Sequence, residues 1–264
     1  MTAPTFSQPT AGWASPTLTG LAAEIAAHVT HVIKSANNNA PRSRQRSIGP
    51  SEIGTPCVRR LAYKLLDWDP KPNSDTDPWA AIVGTAVHAW LEHTFGAANY
   101  ALPDGRPRYV LERRVAADAK LVGSSDLLDR YFRCVIDWKV PGATAMTEYR
   151  KKQDPGLTYR VQAHTYGLGY ANAGEDIEHV AIVFLPRSGR LDGIWVWTEP
   201  FQPILAQAAL QRRDNVLQTV AALDPEANPA NWALFPTADA YCTYCPWFLP
   251  KSTDLSRGCP GANQ

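Results

Sequence analysis

The sequence lacks any apolar run long enough to cross a membrane, and its first residues lack a basic segment followed by an apolar core. These absences exclude a membrane-spanning class and a secretory signal, so we expect a cytoplasmic protein with no membrane partner. An excess of charge is also missing, because the formal net charge is +1 across 264 residues. Without a global basic field, contacts to nucleic acid have to come from local basic patches.

Cysteine is scarce, at five residues, and the sequence contains neither an internal repeat nor a low-complexity run. In an intracellular chain, so few thiols are more typical of ligands or core side chains than of disulfides. The apolar fraction of 45% is sufficient for a hydrophobic core. The length of the chain suits one medium domain with additions, or two small domains.

The order of predicted elements favours an α/β fold with a mixed central sheet flanked by helices. Helices are predicted over residues 18–33, after Pro56, from Asp77 onward, and over 157–173 and 203–223; strands are predicted over 109–115, 121–128, 131–140, 179–185 and 193–197. The stretches at 35–50 and around 150–152 are predicted as polar connections. We divide the chain into a mobile N-terminal arm (1–16), a helical region (17–75), a core (76–223) and a cysteine-rich C-terminal segment (224–264).

The stretch 121–140 carries the most unusual polar residues of the predicted sheet. Its second strand is apolar on both faces, as is typical of a covered strand, yet it ends in Asp137-Trp138-Lys139. Side chains at i and i+2 project to the same face, so Asp137 and Lys139 are neighbours, and Asp126 comes from the adjacent strand. Two acids, the Trp138 carbonyl and a lysine can hold a divalent cation and activate a water beside a phosphate. The alternative for an isolated D-x-K triplet is a surface ion pair.

Two predicted helices carry side chains that can complete such a site. His88 ends a G-x-x-x-H pattern and can supply a nitrogen ligand, and Glu92 follows one turn later on the same face. Gln162 and Tyr166 are also one turn apart, so they present an amide and a hydroxyl on one face of the helix after the strands. The alternative for each residue is ordinary helix packing or surface exposure.

The ordered set G-x-x-x-H, G-x-x-D, D-x-K and Q-x-x-x-Y over residues 84–166 resembles the PD-(D/E)XK nuclease superfamily and, within it, the RecB-like exonucleases. The resemblance implies a restriction-endonuclease-like core in which Lys139 is catalytic. It also implies metal binding by His88, Asp126, Asp137 and the Trp138 carbonyl, and substrate contact or support of the site by Gln162 and Tyr166. Ser125 stands where the superfamily name shows proline, and Glu112 on the preceding strand is a further, weaker candidate.

The cysteines form a second group with ligand spacing. Cys242-x-x-Cys245 and Cys259 lie near the C-terminal end, whereas Cys57 lies before the predicted core. Four thiolates can bind a tetrahedral zinc or an iron–sulfur cluster, and the spacing alone does not choose between them. Buried structural thiols or a redox C-x-x-C are the alternatives. Cys134, on the predicted buried strand, is most simply a core thiol.

One early cysteine and three late ones resemble the iron–sulfur staple of the CRISPR-associated RecB-like exonucleases and of AddB-type nuclease domains. This resemblance implies a 4Fe–4S cluster on Cys57, Cys242, Cys245 and Cys259 that ties the C-terminal tail to the N-terminal helices. The gap between Cys245 and Cys259 is longer than that family usually has.

Together the resemblances imply a DNA exonuclease dependent on Mg²⁺ or Mn²⁺, with endonuclease activity left open. Its substrates would be single-stranded DNA and double-stranded ends, in phage or bacterial recombination, repair or spacer processing, alongside recombination or CRISPR adaptation proteins. Candidates for phosphate contacts, with solvated charge as the alternative, are Arg59, Arg60, Arg150, Lys151, Lys152 and Arg160, and also Arg42, Arg44 and Arg46. Two other classes stay open: a DNA-binding or assembly protein without cleavage, and a redox or zinc enzyme in which the acids are structural.

Overall fold

The computed structural model describes residues 18–39, 47–74 and 77–262. The predicted arm at 1–16 and the basic residues Arg42, Arg44 and Arg46 lie outside the described residues. The chain divides near residue 44 into two units, and helix α1 (Leu18–Asn39) is the described element of the first. This helix extends past its predicted end, and the Asn39 side chain donates a hydrogen bond to the Ser35 carbonyl in the last turn. The four-part division of the chain stays a prediction.

A five-stranded mixed sheet forms the centre of the second unit and confirms the predicted α/β class. Its strands, in spatial order, are β1 (Tyr109–Asp118), β2 (Leu121–Asp129), β3 (Cys134–Lys139), β4 (His179–Phe184) and β5 (Trp195–Pro200). Strands β3 and β4 pair in parallel, and the other neighbours pair antiparallel. Parallel pairing requires a crossover connection, so helices lie between β3 and β4 in the chain.

The described helices of this unit are α2 (Pro50–Ile53), α3 (Val58–Leu65), α4 (Trp79–Ala97), α5 (Ala143–Lys152), α6 (Leu157–Asn172) and α7 (Pro203–Leu223). Helix α5 occupies a stretch predicted as a polar connection, so that prediction is wrong. The helix forms because Ala, Met and Glu favour it, and because the basic residues 150–152 complement the helix dipole in its last turn. In the part of the chain that the structure describes, no helix is long and apolar enough to span a bilayer.

Helices α6 and α4 cover opposite faces of the sheet. On the α6 face, Tyr166 and Tyr170 pack against Val135 of the central strand. Helix α6 approaches β1 so closely that a Cβ on Gly169 would lie 2.9 Å from the Val115 side chain, which explains the glycine. The face under α4 is packed by Val87, Leu91, Phe95, Leu127 and Trp138. The sheet is thus buried on both sides, as its apolar central strand predicts.

An aromatic core joins the C-terminal tail to α3. The ring of Tyr63 stacks on Trp247 at 5.4 Å between centroids and lies 4.1 Å from the ring of Trp232. The Trp247 indole donates a hydrogen bond to the Trp68 carbonyl at 2.9 Å, and the Trp68 indole donates to the Ser256 carbonyl at 2.8 Å. Because these buried N–H groups have partners, the tail can pack as part of the core.

A buried arginine ties β1 to α7 and gives a stability prediction. Arg213 is 1% exposed and donates to both carboxylate oxygens of Asp118, at 3.1 and 2.7 Å, with Asp214 as a second partner. Asp118→Ala leaves this guanidinium short of an acceptor. Since Asp214 remains, we expect the free energy of unfolding, measured by urea titration, to fall by about 2 kcal/mol.

The pH dependence of that difference provides a check. Hydrogen bonds from Arg213 hold the pKa of Asp118 below its usual value, so the pair stabilises the protein at neutral pH. This stabilisation is lost as the pH falls below about 4, and the wild type and Asp118→Ala should then converge. Asp104→Ala, which removes one of the two acidic partners described for the exposed Arg106, is the control and should change stability much less. An equal loss in both variants would contradict the role of the buried pair.

Candidate active site

The candidate site begins where β2 and β3 separate. The paired residues of these two strands end at Leu127 and Ile136, and Leu127 directly follows Asp126 in the chain. Beyond this point a side chain replaces the backbone as the hydrogen-bond partner. The Oδ2 of Asp126 accepts a hydrogen bond from the Trp138 backbone N–H at 2.8 Å. Because the N–H and C=O of a strand residue project to the same side, the Trp138 carbonyl points into the same gap. Two oxygen donors of the kind that hard cations prefer therefore share this opening.

A buried acid–lysine pair occupies the end of β3. Asp137 is 2% exposed, forms an ion pair with Lys139, and accepts a hydrogen bond from Gln162 Nε2 at 2.9 Å. The Lys139 Nζ also lies 4.8 Å from the ring centre of Tyr159, a cation–π arrangement. Burial raises the pKa of Asp137 to about 6, against the opposing charge of Lys139. The surroundings thus fix an ammonium group at the edge of the sheet.

Three potential metal ligands converge beside that pair. One ligand atom each of His88, Glu112 and Asp126 lies within 4.8 Å of the others. His88 reaches in from α4, and its Nδ1 lies 3.2 Å from Asp126 Oδ1. Burial acts to lower the pKa of His88, but the hydrogen bond and charge of Asp126 outweigh it and raise the pKa. The surroundings of the imidazole are therefore anionic, and such surroundings also favour a bound metal cation.

Glu112 enters the site through an irregularity of β1. It lies opposite Asp126 in the β1–β2 ladder, between the paired residues Leu111 and Arg113. Its φ of 45° is in the left-handed region, which is costly for a residue with a Cβ. Such a conformation persists only where the surrounding structure holds it. The strand therefore presents this carboxylate at a fixed position beside Asp126.

The donor set fits a divalent cation, because a ring nitrogen and carboxylate oxygens suit Mg²⁺, Mn²⁺ and Zn²⁺. Glu112 was only a weak candidate from the sequence, because its position depends on strand register. Asp137 stays a predicted ligand, since the contacts of its carboxylate in the structure are to Lys139 and Gln162.

Other predicted residues on α4 and α6 have different surroundings. Tyr166 packs in the core beneath α6, and Glu92 is exposed one turn after His88. Their roles at the site stay predictions. Tyr159 was missed from the sequence, although it lies one turn before Gln162 and therefore on the same face of α6. That spacing was the sequence signal from which Tyr159 could have been predicted as a neighbour of the site.

The predicted phosphate-contacting residues lie in three places. Arg59 and Arg60 border the cysteines. Arg160 on α6 forms a two-pronged ion pair with Glu199, with both N–O distances at 2.6 Å. Residues 150–152 form the last turn of α5. An arginine already paired with a carboxylate must give up that partner before it binds phosphate, so Arg160 is the least available of these residues.

The four predicted cluster cysteines, Cys57, Cys242, Cys245 and Cys259, line one pocket beside α3. The pocket is small, with a cavity volume of about 20 Å³, and its cysteines form no disulfide. Cys57 is the N-cap of α3, and its Sγ accepts from the Arg60 N–H at 3.4 Å. Arg59 Nη1 donates to Cys259 Sγ at 3.5 Å. Hydrogen bonds to sulfur are typical of cysteines that act as metal ligands.

The spacing of the sulfurs bears on the kind of metal centre. In a tetrahedral zinc site, Zn–S bonds of about 2.3 Å place the sulfurs about 3.8 Å apart. All four cysteines belong to the described residues, and no three of their Sγ atoms lie within 4.8 Å of one another. The sulfur atoms are therefore spaced more widely than a zinc site requires. Cys134 lies apart on β3, where burial raises its pKa to about 12, in keeping with a core thiol.

The structure thus defines an α/β protein with a carboxylate–lysine site at the open end of its central strand. No protein-family model and no curated protein sequence matches the chain. Among solved structures it is similar to an alkaline exonuclease from Laribacter hongkongensis, at 14% identity and a TM-score of 0.48, over 73% of this chain and 97% of that one.

Two further solved structures are similar at the same level. The protein SSO0001 is 15% identical over 84% of this chain and 94% of its own, with a TM-score of 0.48. A phage-related exonuclease from Haemophilus somnus 129PT is 12% identical over 64% of this chain and 82% of its own, with a TM-score of 0.45. At such identities the similarity concerns the backbone, and we base the functional assignment on the side chains of the site.

Proposed function

We propose that this chain is a DNA exonuclease that uses Mg²⁺ or Mn²⁺ to hydrolyse phosphodiester bonds. The observation that carries the proposal is the convergence at the open end of the sheet of Asp126, Asp137, Lys139, His88 and Glu112. A cation site beside a fixed ammonium suits metal-assisted hydrolysis of a phosphate. The motif order from residue 84 to residue 166 favours nucleases among such hydrolases, and the RecB-like resemblance favours DNA as the substrate.

Each side chain of the site has a separate task in this proposal. The cation would be held by His88, Glu112, Asp126 and the Trp138 carbonyl, with Asp137 as a further predicted ligand. When bound, the cation would supply Lewis acidity toward the scissile phosphate and an acidified water as the nucleophile. Lys139 orients that water and stabilises the negative charge that develops on the phosphate. Gln162 keeps the Asp137 carboxylate oriented toward the lysine.

We also propose that the cysteine pocket binds a 4Fe–4S cluster. Its wide sulfur spacing supports this assignment over zinc, whereas the two hydrogen bonds to sulfur suit a metal centre of either kind. The cluster would fasten the C-terminal tail to α3, which is a structural role. Recombination, repair or spacer processing in a phage or bacterium is the setting that the resemblance implies. Recombination or CRISPR adaptation proteins are the partners that belong to the same proposal.

Cleavage of end-labelled DNA tests the function directly. Anaerobically purified protein is incubated with linear single-stranded, linear double-stranded and closed circular DNA, in Mg²⁺, Mn²⁺ or EDTA. We expect metal-dependent release of label from linear DNA and none from circles. Cleavage of circles would add endonuclease activity, and cleavage in EDTA would refute the metal requirement. No cleavage of any substrate would favour a DNA-binding or assembly protein.

Replacing two of the ligands should weaken metal binding in the intact protein. Asp126→Asn and Glu112→Gln keep the side-chain shape but remove a charge, so we expect the Mn²⁺ dissociation constant to rise about tenfold or more. Electron paramagnetic resonance of free Mn²⁺ during a titration measures this without catalysis. Glu226→Gln, which changes an exposed acid in the loop after α7, is the control and should bind normally. Unchanged affinity in Glu112→Gln would remove this carboxylate from the metal site.

A further inference from the structure

A cleft continues from the lysine end of β3. The segment after β4 runs beside the segment after β3: the Leu185 N–H donates to the Lys139 carbonyl at 2.8 Å, and the Arg187 N–H donates to the Pro141 carbonyl at 3.1 Å. A cavity of about 400 Å³ lies between these segments, one face of α5 and the turn before β5. Its volume is within the range of small-ligand sites. The cleft therefore begins at the segment that directly follows Lys139 in the chain.

The charged lining of this arginine cleft, which consists of Arg150, Arg187, Arg190 and Asp192, is predominantly positive. Arg187 donates from Nε and Nη2 to the Val140 carbonyl, at 3.2 and 2.9 Å. Arg150 donates to the Gly193 carbonyl. A carbonyl orients a guanidinium without cancelling its charge, and neither arginine forms an ion pair with any residue that the structure describes. Both therefore present a full positive charge from an anchored position.

Arg190 adds a charge at the rim of the cleft. Its side chain is 87% exposed and pairs with Asp192, which is 71% exposed, at 3.2 Å. An exposed pair of this kind contributes little stability, so a phosphate can replace the acid at low cost. The remaining wall includes Pro141, Met146 and Pro186, which are apolar. Such a wall suits the sugar and base that accompany a phosphate in a nucleic acid.

We propose that the arginine cleft binds backbone phosphates of the DNA strand immediately beside the scissile bond. This inference rests on the proposed nuclease function, because the metal site fixes where the scissile phosphate lies. The ligand is a strand and not a single anion, since the arginines come from two separate elements, α5 and the turn between β4 and β5. Contacts of this type hold the strand in register without reading its sequence. They would make cleavage sequence-independent, as degradation from an end requires.

Equilibrium binding tests the cleft separately from cleavage. The probe is a short fluorescein-labelled single-stranded oligonucleotide, followed by anisotropy in EDTA at several salt concentrations. We expect Arg187→Gln/Arg190→Gln to weaken binding roughly tenfold at low salt. The slope of log affinity against log salt should also fall by about 0.7 for each phosphate that the variant no longer neutralises. Arg190→Gln alone changes an exposed side chain that does not support the fold, and it should show part of both effects.

A matched double variant controls for the removal of charge. Arg106→Gln/Arg133→Gln removes the same charge, and Arg133 directly precedes β3, at the opposite end of that strand from Lys139. Binding should change little in this control. Equal weakening in the two double variants, or none in the cleft variant, would overturn the inference. A third outcome would also overturn it. If calorimetry shows that the wild type binds inorganic phosphate, and the cleft variant loses this binding but keeps its DNA affinity, the cleft is a site for free phosphate.

The cleft and the nuclease function fail in distinguishable ways. Wild-type protein that binds DNA through the cleft but never cleaves it would refute the nuclease and leave a DNA-binding cleft. Wild-type protein that cleaves DNA, with cleft variants that bind and cleave normally, would refute the cleft and leave the nuclease.

Discussion

Lys139→Ala is expected to lower the rate of metal-dependent DNA cleavage by about a thousandfold or more, with DNA binding nearly unchanged. Lys139 ends the central strand, and its ammonium is held by the Asp137 carboxylate and the face of Tyr159. Alanine removes both a fixed positive charge and a group able to exchange protons with water. The cleavage assay under single-turnover conditions measures the chemical step, and anisotropy in EDTA measures binding.

The fold should survive this substitution. Asp137 is 2% exposed and would lose its cationic partner, but it keeps the hydrogen bond from Gln162. Burial already raises the pKa of Asp137, and without Lys139 the carboxyl would take up a proton rather than remain charged. The site therefore relaxes by protonation, and the variant can be purified for both assays.

Lys64→Ala is the matched control for Lys139→Ala. The Lys64 side chain is 17% exposed and pairs with Glu52, whereas the Lys139 side chain is 16% exposed. Since Lys64 lies on α3, away from β3, its loss should leave cleavage at the wild-type rate. Wild-type cleavage by Lys139→Ala would instead mean that the acid–lysine pair is structural.

Local sequence patterns predicted which helices and strands exist better than they predicted the residues at which these elements begin. Strand β3 starts at Cys134 and not at Tyr131, as the apolar pattern suggested. The reason is a side-chain turn: Asp129 Oδ1 accepts from the N–H groups of Tyr131 at 2.9 Å and Phe132 at 3.3 Å. An aspartate that caps a turn competes with strand pairing, and composition alone does not reveal which of the two wins.

The candidate site was readable from the sequence where it depends on local geometry. Asp137 and Lys139 at i and i+2 must share a face of any strand, so their pairing was predictable. The position of Glu112 depends on the register of two antiparallel strands and on a positive φ, which no local pattern specifies. Arg187 and Arg190 were missed for a similar reason, because only the parallel pairing of β3 and β4 brings their turn to the lysine end.

The second large effect is expected from Cys57→Ala. This change removes the one proposed cluster ligand on the α3 side of the pocket, while the other three cysteines belong to the tail. We expect the visible absorption and the bound iron to be lost, and the melting temperature to fall by about 10 °C. A cluster that links segments so distant in sequence restricts the unfolded chain strongly, so its loss destabilises the native state. Absorbance, iron analysis and calorimetry on anaerobic protein measure the three quantities.

The aromatic core limits the loss of stability that we expect from Cys57→Ala. Tyr63 already stacks on Trp247, so the tail should stay attached without the cluster, and the protein should melt earlier rather than fail to fold. Cys134→Ala removes a buried thiol outside the pocket, and it should keep the colour and iron of the wild type. A brown, equally stable Cys57→Ala protein would exclude Cys57 as a ligand. A colourless wild-type protein that contains zinc would change the assigned metal from iron to zinc. A lower melting temperature of Cys57→Ala would in that case still identify a metal cross-link between α3 and the tail.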